Sequence, residues 1–178
     1  MAKAKFDVNV YDECFCGSKK KVKFCCQPIA DDVGKLVEAI NKESYRTALQ
    51  IIEGMEKKPL KSTTGKAWLL THKAMCLMSL EQYDPSRAAV EAALVAHPGY
   101  ALAMYQIALL TYVSEGLDSA EPLFRELLRH GEGVEVALLV KALTMLGRNL
   151  VENGHRFAGM AHLLRAMAIG GRDNALLE

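Results

Sequence analysis

Charge of one sign is missing from this chain: 22 Lys and Arg against 21 Asp and Glu leave a net +1. So weak a field draws the molecule as a whole toward neither nucleic acid nor a membrane surface. A long apolar run is missing as well. The longest, Ala101–Val113, is broken by Gln106 and Thr111; it is too short to cross a bilayer and reads as a buried helix. The opening MAKAKFDVNVYDEC holds no continuous apolar stretch, so no secretory signal is expected and a cytoplasmic location with reduced thiols follows. Phosphate loops are absent, since Gly131-Glu132-Gly133 and Gly170-Gly171 read as helix ends outside any GxxxxGK[ST] or GxGxxG setting. His72, His97, His130, His155 and His162 are scattered, with no carboxylate or thiol spaced to join the last two. His97 before Pro98 and His130 before Gly131 suit helix C-termini. Cys76, among Ala74, Met75, Leu77 and Met78, reads as a packing residue with no base beside it. Together these absences predict a protein that is not an enzyme, has no small-molecule substrate and has no membrane partner.

What is present is concentrated at the head. Residues 14–26 read CFCGSKKKVKFCC, so Cys14, Cys16, Cys25 and Cys26 follow the spacing C-x-C-x8-C-C. In a reducing compartment, clustered thiols point to metal before disulfides. Each close pair supplies one edge of a tetrahedron, and the intervening loop reverses the chain to bring the edges together. Four thiolates without a carboxylate set suit Zn²⁺, with iron in a four-sulfur site as the alternative. Protein fills every position, so no activated water is left and the ion is structural. A segment this short cannot fold unaided; metal binding would supply its folding free energy, about 10–16 kcal/mol in zinc-finger peptides. Residues 1–27 also hold Lys3, Lys5, Lys19, Lys20, Lys21 and Lys23 against Asp7, Asp12 and Glu13.

The segment FCGSKKKVKFCC resembles the SEC-C motif, the small zinc-binding tail of the SecA preprotein-translocation ATPase, which is also found on unrelated proteins. That family has two cysteines flanking one residue, a Gly-Ser turn, a basic run, then Cys-Cys or Cys-His. The resemblance implies that Cys14, Cys16, Cys25 and Cys26 are zinc ligands and that Lys19, Lys20, Lys21 and Lys23 face a partner. In SecA such a tail contacts the chaperone SecB and the ribosome. Three positions depart from the pattern: Phe15 stands where Pro is common, Lys19 where Gly is common, and Val22 where an aromatic is usual. A positive φ at Lys19 would strain its backbone, and Phe24 is expected to take over the packing of the missing aromatic.

Residues 1–28 are thus expected to form a zinc knuckle, and residues 29–178 a helical body. In the body, Tyr45, Ala48, Ile52 and Met55 fall at i, i+3, i+7 and i+10; Leu117, Ala120, Phe124 and Leu127 repeat the spacing, and Phe157, Met160, Leu164 and Met167 repeat it again. Each set reads as the opening of a hairpin's second helix, with a bulky residue at the turn, a small or slim one next and then the inner face. First helices precede them at Val33/Leu36/Val37/Ile40, Met104/Ile107/Ala108/Leu110 and Leu139/Ala142/Leu143/Leu146. A further pair fits between, with Trp68, Leu70, Ala74 and Leu77 on one helix and Val90, Ala93 and Leu94 on the next, ending at His97-Pro98-Gly99. Asp84 before Pro85 predicts an N-cap, and Asp118-Ser119-Ala120-Glu121 a capping pattern with Pro122 in the first turn. Units near 34 residues with small residues at helix contacts resemble tetratricopeptide (TPR) repeats. An all-α, TPR-like helix-hairpin solenoid of about four pairs is expected, at roughly 29–62, 63–98, 99–132 and 133–171, without strand signals.

Stacked hairpins line a concave surface with their first helices. Helical spacing puts Trp68, Met75, Met78, Leu102, Tyr105, Leu109, Tyr112, Leu139 and Leu143 on that surface. Such a lining is apolar and sulfur-rich, lacks the Lys, Arg and Asn that TPR modules turn toward acidic chaperone tails, and suits an amphipathic helix or peptide. The expected function is a zinc-binding adaptor that docks through its knuckle on the ribosome or a protein-export or chaperone component. Two alternatives are an RNA-binding knuckle, with the lysines beside Phe15 and Phe24 supplying charge and stacking to rRNA, and a knuckle that only caps the first repeat.

Overall fold

The computed structural model describes residues 8–130 and 135–171. Residues 131–133, read above as a helix end, lie outside those residues. Among the described residues the chain is all-α, with eight helices: α1 Ala30–Asn41, α2 Tyr45–Glu56, α3 Thr63–Ser79, α4 Tyr83–Ala96, α5 Ala101–Glu115, α6 Leu117–Arg129, α7 Val136–Glu152 and α8 Arg156–Gly170. No helix among the described residues is long and apolar enough to cross a membrane. The chain divides into two compact units, Met1–Ala103 and Met104–Glu178.

Three of the hairpins turn in the same way. After α1, the Ser44 and Glu43 N–H groups donate to Ala39 and Ile40 carbonyls; after α3, Gln82 and Glu81 donate to Leu77 and Met78; after α7, His155 and Gly154 donate to Leu150 and Val151. Each is a Schellman closure, with the residue beyond the cap in the left-handed region. Glycine is the usual occupant, and only Gly154 obeys; Glu43 and Glu81 sit at φ 55° and 60°. The next helix starts at once. Gln82 is therefore the N-cap of α4, which already includes Asp84 and Pro85; the Asp84 cap expected from sequence is absent. At α6 Gly116, with φ 89°, makes the whole turn, so the helix begins at Leu117 without a side-chain cap and Pro122 falls beyond the first turn.

In the first unit, Val33 and Leu36 of α1, Ala48, Ile52 and Met55 of α2, and Trp68, Leu69 and Cys76 of α3 form one buried cluster. Cys14, Cys16, Cys25 and Cys26 belong to that same cluster, together with Val22 and Ile29. The described part of the head, from residue 8 on, therefore shares a core with α1–α3. Cys76 is fully buried and its thiol is pushed up to about 11 by burial, as a packing residue should be.

In the second unit, Ala120, Phe124 and Leu127 of α6 are buried as their spacing predicts, and the ring of Tyr105 meets Phe124 edge-on. α7 and α8 pack most closely at Gly147 and Gly159, where a Cβ on Gly159 would lie 2.6 Å from the Gly147 carbonyl oxygen. One expectation fails here. Phe157, Met160, Leu164 and Met167 are all exposed, Phe157 by 93%. The side of α8 that meets α7 carries Gly159, Leu163 and Ala166, and the predicted inner face is turned roughly a third of a circle away from it, by the 100° per residue of a helix.

Candidate metal centre

The head folds by a local reversal. Cys14 N–H donates to Lys20 at 2.7 Å, Val22 N–H to Asp12 at 3.0 Å, and Lys23 N–H to Val10 at 2.9 Å. These bonds pair Glu13 with Lys21 in a single antiparallel bridge. At the tip Gly17, with φ 80°, lets its N–H reach the Cys14 carbonyl, and Lys19 follows at φ 57°. The positive φ that would strain a non-glycine residue is thus realised at Lys19, at an expected cost of roughly 1–2 kcal/mol. A 3₁₀ turn over Val22–Phe24 brings Cys25 and Cys26 N–H onto the Val22 carbonyl, and a second, Gln27–Ile29, leads into α1.

The outcome is four buried sulfurs within 4.8 Å of one another. Cys14–Cys16 and Cys16–Cys25 are 3.4 Å apart and Cys25–Cys26 3.7 Å. A tetrahedron with zinc–sulfur bonds of 2.3 Å has edges of about 3.8 Å, so the cluster fits one ion with little adjustment. Without a cation the thiols frustrate one another. The S–H of Cys26 holds Cys16 well down, to about 4, while burial pushes Cys14 up to about 12, and the hydrogen bond to Cys16 raises Cys26. Four thiolates in so dry a space need a cation, and the four cysteines are positioned to hold a metal ion.

The body supports the cluster from behind. Phe15, in the place where proline is common, packs edge-on against Trp68, 4.7 Å between centroids. The Tyr100 hydroxyl donates to the Cys16 carbonyl at 3.5 Å. Val22 is buried in its own right, whereas Phe24 is 74% exposed, so Phe24 does not replace a packing aromatic.

The outward side of the head is basic and aromatic. Lys19, Lys20 and Lys21 are exposed, and the Lys23 ammonium lies over the rings of Tyr11 and Phe24, 4.6 and 4.7 Å from their centroids. Tyr11 was not singled out by its sequence position. The pairing of Lys23 with Val10 brings it beside Phe24, a neighbourhood that the reversal around the C-x-C pair would have indicated.

The nine residues assigned to a groove do not share one character. Trp68 and Leu143 are buried, while Met75, Met78 and Leu102 in the first unit and Tyr105, Leu109, Tyr112 and Leu139 in the second are partly exposed. Within the second unit Tyr105 and Tyr112 of α5 line a cavity of about 310 Å³ with Lys141, Thr144, Met145, Arg148, Asn149 and Glu152 of α7. Lys141, Arg148 and Asn149 thus stand beside Tyr105 and Tyr112 at positions outside the nine. Lys141 and Arg148, seven residues apart, repeat on one helical face, a signal that a search restricted to apolar positions passes over. No protein-family model, curated protein or solved structure matches the chain.

Proposed function

We propose that this chain is a non-enzymatic, zinc-stabilised adaptor of the cytoplasm that docks through its knuckle on RNA-rich surface of the ribosome and holds a partner segment on TPR-like helices. The observation that carries the reading is the triad Tyr11–Lys23–Phe24, two exposed rings with a half-buried lysine's ammonium over both, flanked by the exposed Lys19, Lys20 and Lys21. Exposed aromatics with ammonium groups between them are what a single-stranded or looped nucleic acid uses, stacking bases on rings while phosphates meet lysines. An acidic protein face would need the lysines and leave the rings without a role. Four buried thiolates without a carboxylate favour zinc over the hard cations, with iron as the alternative.

The TPR-like reading of the body rests on four successive helix pairs and on the Schellman turn repeated at Glu43, Glu81 and Gly154. A partner segment would lie against α5 and α7 of the second unit, where Tyr105, Tyr112, Lys141 and Arg148 offer both stacking and charge. That lining suits a polar, partly acidic peptide better than a wholly apolar helix.

Binding of the zinc-loaded chain to a single-stranded RNA, followed across a salt series, tests the knuckle half. Phe24→Ala is expected to lose about 1–3 kcal/mol, and Lys20→Glu with Lys21→Glu to abolish binding, with the salt slope of the wild type set by its phosphate contacts. Affinity that ignores the Phe24 ring but follows the lysines would move the partner to an acidic protein, such as an export chaperone. Equal affinity for all variants would sink the docking role.

A further inference from the structure

The metal ligands are gripped from the far side by the first turn of α3. We propose that Ser62 and Gly65 are positioning residues of the metal centre, so that metal loading is sensed directly by the helical body. This rests on the metal reading of Cys14, Cys16, Cys25 and Cys26.

Ser62 is the N-cap of α3, and its Oγ accepts the Gly65 N–H at 3.0 Å. The same oxygen lies 3.0 Å from the Cys25 sulfur, with the thiol as donor. A hydroxyl has one proton and two lone pairs, so Ser62 keeps its own proton free while it caps the helix. With a cation on Cys25 the sulfur would have no proton to give, and the hydrogen bond would run the other way, from Ser62 O–H to the thiolate. Ser18 Oγ sits 3.1 Å from the same sulfur. Cys25 is thus flanked by two hydroxyls, one from its own loop and one from a helix 37 residues further on.

Gly65 holds the neighbouring ligand by leaving room for it. A Cβ at this position would lie 2.6 Å from the Cys26 sulfur and 3.2 Å from the Ser62 side chain. Glycine is a poor helix former, yet here, in the first turn of α3, the place of its missing methyl is taken by a metal ligand. Contacts that orient metal ligands from behind typically cost 10–100-fold in metal affinity when removed.

The test separates helix capping from support of the sulfur. In the full-length chain, Ser62→Asp keeps a strong N-cap but sets a proton-free carboxylate against Cys25, Ser62→Ala removes both roles, and Ser62→Thr keeps the hydroxyl. Zn²⁺ affinity is measured by chelator competition, and Co²⁺ loading by its sulfur-to-metal charge-transfer band. Ser62→Asp and Ser62→Ala should bind Zn²⁺ about 10–100-fold more weakly, with Ser62→Thr near wild type, while the metal-free helix content of Ser62→Asp stays unchanged. Gly65→Ala should shift the Co²⁺ band, because the Cys26 sulfur must move. Wild-type affinity in Ser62→Asp, or an unshifted band in Gly65→Ala, would overturn the assignment of that residue while leaving the metal centre standing. A wild type that binds neither ion would overturn the metal centre and this proposal with it.

Discussion

The ring of Phe15 meets the indole of Trp68 edge-on, 4.7 Å between centroids. One residue lies between two metal ligands and the other on α3, and Trp68 is the chain's single tryptophan. Its fluorescence therefore reports on the metal centre. Chelation should red-shift the emission and lower the melting temperature, because the two cysteine pairs lose the ion that ties them together and Phe15 loses its anchor. Phe15→Ala should cost about 2–3 kcal/mol in the metal-loaded protein, measured by denaturant titration. Emission that ignores chelation would detach the cysteines from the α3 core.

Trp68 also carries a pH signal. Its carbonyl oxygen lies 2.8 Å from the His72 Nδ1, and the imidazole lies tilted against the indole, 4.1 Å between centroids. Burial holds the His72 pKa below its ordinary value, outweighing the bond to Trp68. A histidine kept neutral by folding binds its proton more readily when unfolded, so stability is full above the unfolded value near 6.5 and falls as pH drops below it. Urea midpoints taken at about pH 7.5 and 5.5 should differ more for wild type than for His72→Gln at equal zinc. Parallel pH dependences would place the loss entirely at the metal ligands.

The hairpin turns invite a third measurement. Glu43 and Glu81 hold positive φ in Schellman closures, where the third such turn uses Gly154. A left-handed backbone costs an L-residue about 1–2 kcal/mol, partly offset by the extra chain entropy that glycine loses. Glu43→Gly and Glu81→Gly should each stabilise by about 0.5–1 kcal/mol, and Gly154→Ala should destabilise by a similar amount. Thermal unfolding of the three variants checks the sign of each.

How much of this was legible in the sequence depends on range. The four ligands were legible because their spacing is local, and a reversal over eight residues brings the pairs together whatever the body does. The hairpins were legible because 3.6-residue periodicity survives in any helix that buries a face. The starts of α4 and α6 were misplaced, since turns closed at Glu81 and Gly116 launch the next helix before an Asp can cap it. Ser62 was invisible as a neighbour of Cys25, because only the packed core joins positions so far apart. Periodicity also says which residues are apolar, never which side another helix will cover. That is why the stripe on α8 was assigned inward and lies outward.

This last distinction yields the sharpest comparison. Phe124 and Phe157 occupy different places in the repeated pattern, the first on the expected inner face of a second helix and the second at the turn that opens one. Phe124 is fully buried and packs against Tyr105, whereas Phe157 is 93% exposed. Truncating the first empties a filled site and removes an aromatic pair, so Phe124→Ala should cost about 3–5 kcal/mol. Truncating the second removes surface already in water, so Phe157→Ala should stay within about 0.5 kcal/mol. Equilibrium unfolding of the two variants at the same protein concentration measures the difference. A large loss for Phe157→Ala that grows with protein concentration would show the α8 stripe covered by another copy of the chain. A large loss independent of concentration would show it covered from within.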